Sequence, residues 1–151
     1  MIYVPSRYTL LAGCGTGPTP LNAFDTALYN AGVGNYNLVR VSSILPPGAK
    51  ESSVIDAPPG ALLPIAYASF TTTTSGKEIA AAVGVGVATS GPGVIMEFHG
   101  ICSEDEAVTR VKEMVAHALD LRGTRPAEVK TASCSLKTDE PSAVFAGVVM
   151  W

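Results

Sequence analysis

Glu78-Ile79-Ala80-Ala81-Ala82-Val83-Gly84-Val85-Gly86-Val87-Ala88-Thr89 is the stretch on which the fold turns. A strand with one wet face alternates apolar and polar residues. This one carries nothing charged after Glu78, so it belongs in a sheet covered on both sides. Its alternating glycines, Gly84 and Gly86, mark the close approach of another element. Before it, Ala61 to Thr73 reads as a long strand and Ser75-Gly76 as a turn. After it, Gly91-Pro92-Gly93 turns the chain into a strand from Val94 to His99. Ser103 to Arg122 is a helix: Ser103 and Glu106 form a capping box, and Gly123 ends it. Ala107, Val111, Met114, Val115, Ala118 and Leu121 line one of its faces. Glu128 to Leu136 and Ser142 to Trp151 close the chain as strands.

Toward the N-terminus, Tyr8 to Ala12 is a short strand running into the turn-rich Gly13-Cys14-Gly15-Thr16-Gly17-Pro18. Thr19 at the N-cap and Pro20 at the first helical position open a helix. Leu21, Phe24 and Leu28 form its apolar stripe, and Gly32 stops it. Tyr36 to Val41 is a strand, Pro46-Pro47-Gly48 a break, and Lys50 to Pro59 a polar loop. Two helices and about seven strands predict an α+β layered sandwich with helices outside two packed sheets. Residues 1–151 form a single domain, with no interdomain linker in the sequence.

Hydrophobic residues make up 47 % of the 151 and charged residues 15 %, against about 25 % charged in a typical soluble domain. Disorder is excluded by that balance, and no apolar run reaches the roughly 20 residues of a membrane span. So little charge predicts extensive subunit contacts. A net charge of −3 with no basic cluster argues against nucleic acid as a partner. Cys14, Cys102 and Cys134 fit neither a zinc pattern nor a disulfide framework, and read as reduced thiols. Leu11-Ala12-Gly13-Cys14 imitates a lipoprotein cleavage box, but Pro5 interrupts the short segment before it. The expected location is cytoplasmic.

Several features could carry chemistry. Gly13 to Gly17 precedes a helix, the setting of phosphate sites. It matches neither standard phosphate fingerprint, and Pro18 and Pro20 remove two donors. Glu97 and His99 share one face of a strand but lack a third metal ligand nearby. No GxSxG elbow supports a hydrolase triad. Asp25 borders the stripe of the first helix, and Glu97 sits mid-strand in Val94-Ile95-Met96-Glu97-Phe98. A carboxyl buried without a partner is raised in pKa, the setting of a general acid or of a specific cation partner. Each is equally readable as a cap or a solvent-facing edge residue. Ser42-Ser43 is by itself an ordinary strand-to-loop pair, and Ser52-Ser53 repeats it.

Three blocks together go further: Thr19-Pro20-Leu21-Asn22-Ala23-Phe24-Asp25, Asn30-Ala31-Gly32-Val33-Gly34-Asn35-Tyr36-Asn37-Leu38, and Arg40-Val41-Ser42-Ser43-Ile44-Leu45-Pro46-Pro47. They resemble the pyruvoyl-dependent arginine decarboxylases, and Gly60 to Pro64, Gly93 to Glu97 and Ala143 to Trp151 match in order. The resemblance implies a four-layer α/β/β/α sandwich with two mostly apolar sheets and two main helices. It implies a homotrimer or dimer of trimers with active sites between subunits. It also implies a proenzyme that cuts itself between Ser42 and Ser43, giving a small chain 1–42 and a large chain 43–151. Ser43 Oγ would attack the Ser42 carbonyl and exchange the amide for an ester. Elimination would free residues 1–42 as a carboxylate and leave dehydroalanine, which water converts to a pyruvoyl group with loss of ammonia. That group is the cofactor, with no metal and no pyridoxal phosphate. It would take the α-amine of L-arginine and serve as electron sink, yielding agmatine and carbon dioxide. By the same resemblance Glu97 is the proton donor, Asp25 grips the substrate guanidinium, and Leu28, Gly34 and Asn37 line the substrate site. A pyruvoyl decarboxylase for another amino acid and an uncleaved structural or regulatory relative are the competing readings.

Overall fold

The structure is a computed structural model describing residues 1–151. In chain order the elements are β1 (Arg7–Thr16), α1 (Pro20–Asn30), β2 (Asn37–Arg40), β3 (Ile44–Leu45), β4 (Lys50–Glu51) and β5 (Leu62–Thr72). β6 (Glu78–Ala88), β7 (Gly93–Gly100), α2 (Glu104–Leu121), β8 (Pro126–Lys137) and β9 (Ser142–Met150) follow. One sheet has the order β2-β5-β9-β1-β4 and the other β3-β7-β6-β8. The sheets pack face to face through Ala66, Val144, Ala146 and Val148 of the first and Ile79, Ala81, Val83, Val85 and Ile95 of the second. α1 covers the outer face of the first sheet and α2 that of the second. The four-layer α/β/β/α sandwich is therefore present, and it explains why β9 is buried at all nine positions. One side of that strand meets a sheet and the other a helix.

The segment Gly13 to Gly17 is not a turn: β1 runs on through Thr16, paired with β9 as far as Thr16↔Ser142. The glycines are there for α1. A Cβ on Gly13 would lie 2.6 Å from Ala27 O, and one on Gly15 2.5 Å from Ala27 N. On Gly17 it would lie 2.8 Å from Ala23 N. The helix rests on bare strand backbone, which also disposes of the phosphate loop. The close fit fixes which face of α1 is buried. Ala23 and Ala27 are inside, Phe24 and Leu28 are half-buried, and Leu21 is exposed. The stripe Leu21, Phe24, Leu28 is thus displaced to one flank. Thr19 caps as expected, its Oγ1 accepting from Asn22 N–H, and Gly32 stops the chain at φ +88°.

Gly84 and Gly86 do the same for α2, where added Cβ atoms would meet Val115 at 3.2 and 2.5 Å. The buried face of α2 is Ala107, Val111, Val115, Ala118 and Leu119; Met114 and Leu121 stay exposed. Ser103 Oγ accepts from Glu106 N–H at 3.2 Å, while Glu104 reaches across to accept from Ser133 and Ser135 on β8. β3 and β4, two residues each, bring the strands to nine rather than seven. β4 lies inside the expected polar loop, and Glu51 there pairs with Lys130 of β8. The three cysteines are free and half-buried. Burial pushes the Cys134 thiol up to about 11, and its Sγ contacts Gly13 O and Phe145 O.

Candidate active site

The chain leaves one sheet and enters the other at Ser42-Ser43. The last bond to the first sheet is Val41 N–H to Ile65 O, 3.0 Å. The first bond to the second is Ile95 N–H to Ser43 O, 2.8 Å, after which Ile44 and Leu45 pair with Val94 and Gly93. Between these anchors the peptide group joining Ser42 to Ser43 makes no hydrogen bond. Ser42 is exposed and Ser43 half-buried. A hollow of about 270 Å³ opens beside Ser42, lined also by Tyr3, Pro5, Val41, Ile44 and Pro46.

Two residues, about 7 Å of strand, separate the Ile95 that holds Ser43 from Glu97. Strand alternation puts both side chains on one face, and Ile95 lies in the core between the sheets. The Glu97 carboxyl therefore enters an apolar layer near its edge, with 21 % of the side chain exposed. Its Oε2 is buried with no hydrogen-bond partner. Its Oε1 stands 3.8 Å from Arg40 Nη2. Burial lifts the carboxyl above the ordinary glutamate range, and the Arg40 guanidinium partly offsets this. The arrangement can hold a proton at a buried oxygen beside a clamped carbonyl. A carbonyl-bearing group at position 43 fits this place, because Ser43 is sheltered and positioned by a backbone donor.

Arg40 is the residue that sequence reasoning passed over. It ends β2, its Nη2 donates to Tyr67 O at 2.8 Å, and its guanidinium lies 4.6 Å from the Tyr67 ring centre. It stood within the Arg40-to-Pro47 block, but nothing local says that it meets Glu97, 57 residues later in the chain. His99 shares the face of Glu97, as expected, and stacks on Phe70 at 5.8 Å.

The other expected site residues form no hydrogen bond or ion pair with this cluster. Asp25 is exposed on α1 and forms no ion pair. Leu28 is half-buried against the core under α1. Gly34 packs under the end of α1, where a Cβ would lie 2.7 Å from Tyr29 Cα. Asn37 begins β2 and its Nδ2 donates to Gly60 O at 2.9 Å. None of the four is bonded to Ser43, Arg40 or Glu97. No helix is long and apolar enough to cross a membrane.

The family profile described as "Pyruvoyl-dependent arginine decarboxylase (PvlArgDC)" matches residues 7–149. A pyruvoyl-dependent arginine decarboxylase of Methanocaldococcus jannaschii is 38 % identical over 150 residues, 98 % of this chain and 91 % of that protein. One of Thermococcus kodakarensis is 40 % identical over 150 residues, 97 % of this chain and 96 % of that protein. A solved pyruvoyl-dependent histidine decarboxylase overlaps 63 % of this chain and 52 % of its own at TM-score 0.49 and 14 % identity, too distant to bear on either fold or activity. With the profile spanning nearly every residue and relatives this similar along their whole length, the chain belongs to the pyruvoyl-dependent arginine decarboxylase family.

Proposed function

We propose that this chain cuts itself between Ser42 and Ser43 into residues 1–42 and 43–151 and then decarboxylates L-arginine to agmatine and carbon dioxide. The observation that carries the reading is the placement of Ser43 on Ile95 N–H, two residues from a buried carboxyl on the same strand. Ser43 Oγ is the nucleophile next in sequence to the Ser42 carbonyl, and no backbone hydrogen bond ties that peptide group to the sheets. Ser42 and Ser43 are the cleavage residues and Ser43 the pyruvoyl precursor. The pyruvoyl group supplies an electrophilic carbonyl that takes up the substrate amine and withdraws electrons. The chain's own residues do the rest. Ile95 N–H fixes position 43. Glu97 Oε2 gives the proton that replaces the departing carboxylate, and burial in the apolar layer favours its protonated form.

Asp25 is the carboxylate that takes the substrate guanidinium as a planar, charge-assisted pair, with Leu28, Gly34 and Asn37 shaping the site around it. Asp25 is exposed and pairs with nothing in one chain, which fits an active site between subunits, in a homotrimer or a dimer of trimers. Exposed Leu21, Val39, Val41, Ile44 and Leu62 support a subunit face near β2 and α1. Three free thiols fit a cytoplasmic protein.

The test is intact mass with carbon dioxide release across the amino acids. Masses for 1–42 and 43–151, with release from arginine, are expected. An uncut, inactive chain would overturn the reading, and release from another amino acid would move the substrate. Asp25→Asn is expected to raise KM for arginine about 100-fold, as loss of a desolvated charge pair does, with processing unchanged on a denaturing gel. An unchanged KM would remove Asp25 from the guanidinium site.

A further inference from the structure

Arg40 is held by two groups before it ever meets a carboxylate. Its Nη2 donates to Tyr67 O at 2.8 Å and its guanidinium lies over the Tyr67 ring at 4.6 Å. From that tether the same nitrogen stands 3.8 Å from Glu97 Oε1, beyond hydrogen-bond reach. Glu97 Oε2 is left buried and alone. The two oxygens of one carboxyl are therefore unequal: Oε1 faces a fixed positive charge and Oε2 faces none.

We propose that Arg40 is a positioning residue for the decarboxylation, selecting Glu97 Oε2 as the proton-bearing oxygen and tuning its acidity through a charge that Tyr67 holds just out of contact. The inference rests on the reading of Glu97 as proton donor. A proton on Oε1 would stand against the guanidinium, so the proton goes to Oε2. A bidentate Arg–carboxylate pair would keep Glu97 ionised and end its use as an acid. No charge at all would leave a carboxyl too reluctant to give its proton up. The Tyr67 carbonyl sets the distance between these extremes. Burial still wins, and the carboxyl remains above the ordinary range. The titratable or charged groups near Glu97 are Arg40 from β2, Tyr67 beneath it on β5, and His99 on the same face of β7; the register partner on β6 is Val83. The pair also bridges the two products of cleavage, since Arg40 precedes the cut and Glu97 follows it.

The test has two arms. In the uncut Ser43→Ala chain, labelled with carboxyl-13C glutamate and assigned by loss of a signal in Glu97→Gln, the Glu97 titration is followed by NMR. Arg40→Gln is expected to move its midpoint to higher pH, and Arg40→Lys to return it toward the starting value. In the processed enzyme, Arg40→Gln is expected to lower kcat roughly 10- to 100-fold, the scale of a misplaced catalytic group, with KM for arginine little changed. Its basic limb in kcat should shift upward. Arg40→Lys restores the limb but not the full kcat, because an ammonium keeps the charge without the planar fork. A Glu97 midpoint that ignores Arg40→Gln overturns the proposal, and the uncut background keeps that arm decisive even if the variant fails to process. Full turnover in Glu97→Gln would instead overturn the proton-donor reading beneath it.

Discussion

Ser43→Ala is expected to give a single, folded, uncut chain of 151 residues with no borohydride-reactive carbonyl and no arginine decarboxylation. Turnover should fall by at least ~10⁶-fold, because the whole catalysed rate depends on the group formed at that position. Intact mass and carbon dioxide release read the two effects directly. The substitution removes one oxygen from a half-buried side chain and no hydrogen bond, since Ser43 Oγ makes none and its carbonyl keeps Ile95 N–H. Thermal stability should therefore stay near that of the uncut parent. Ser53→Ala is the control. Ser52 N–H is bonded to Tyr8 O at 2.9 Å, and Ser52 Oγ closes a local turn on Val54 O at 2.9 Å. That pair is tied into one place, whereas Ser42-Ser43 is suspended between two sheets. Cleavage should not release the small chain: β1 stays paired with β9 from Tyr8 to Thr16, and α1 stays docked on it. Retained cleavage in Ser43→Ala would place the chemistry elsewhere.

The layers were legible because the sequence states them twice. β6 is apolar on both faces, and its glycines answer to Val111, Val115 and Leu119 of α2. The glycines of β1 carry the same message about α1, but in a run rich in glycine and proline they read as a turn. Only the docked helix distinguishes a bare strand from a loop. The same contact explains the misplaced stripe of α1. Leucine and phenylalanine outweigh alanine in a periodicity reading, yet only Ala23 and Ala27 are small enough to sit on exposed backbone. β3 carries no signal of its own. It exists because Ile44 meets Val94 fifty residues later in the chain, and pairings of that range are set by the sheet rather than by propensity. In the site, Glu97 could be singled out because a carboxylate inside Val-Ile-Met-Glu-Phe is costly wherever that strand lies. Arg40 could not, because its meaning depends on Tyr67 and Glu97, both brought to it only by the fold. Asp25 stood out at the border of the α1 stripe, its tie to a guanidinium came through resemblance alone, and the single chain leaves it in solvent.

Glu97→Gln is expected to process normally and then turn over roughly 10²- to 10⁴-fold more slowly, the range for loss of a positioned general acid. Glutamine keeps the shape and the apolar stem but has no proton to give at the position of Oε2. KM for arginine should change much less than kcat, since no hydrogen bond or ion pair joins Glu97 to Asp25. The same variant carries a second effect of opposite sign. In the folded chain burial holds the Glu97 carboxyl above its ordinary value, so the unfolded chain ionises it more readily. Glu97 therefore supports folding only below the ordinary glutamate range, and that support is lost as pH rises through the folded-state value. A neutral amide escapes the loss. Arg40 keeps Tyr67 O when its carboxylate is gone, and 59 % of its side chain is exposed, so little is forfeited on that side. The variant should therefore melt higher than the parent above neutrality, with the difference shrinking toward zero in mild acid. Such an opposition between stability and turnover is what a carboxyl kept in an apolar layer for its proton requires, and a structural carboxylate would reverse it: Glu97→Gln would then lose stability at high pH and keep its rate.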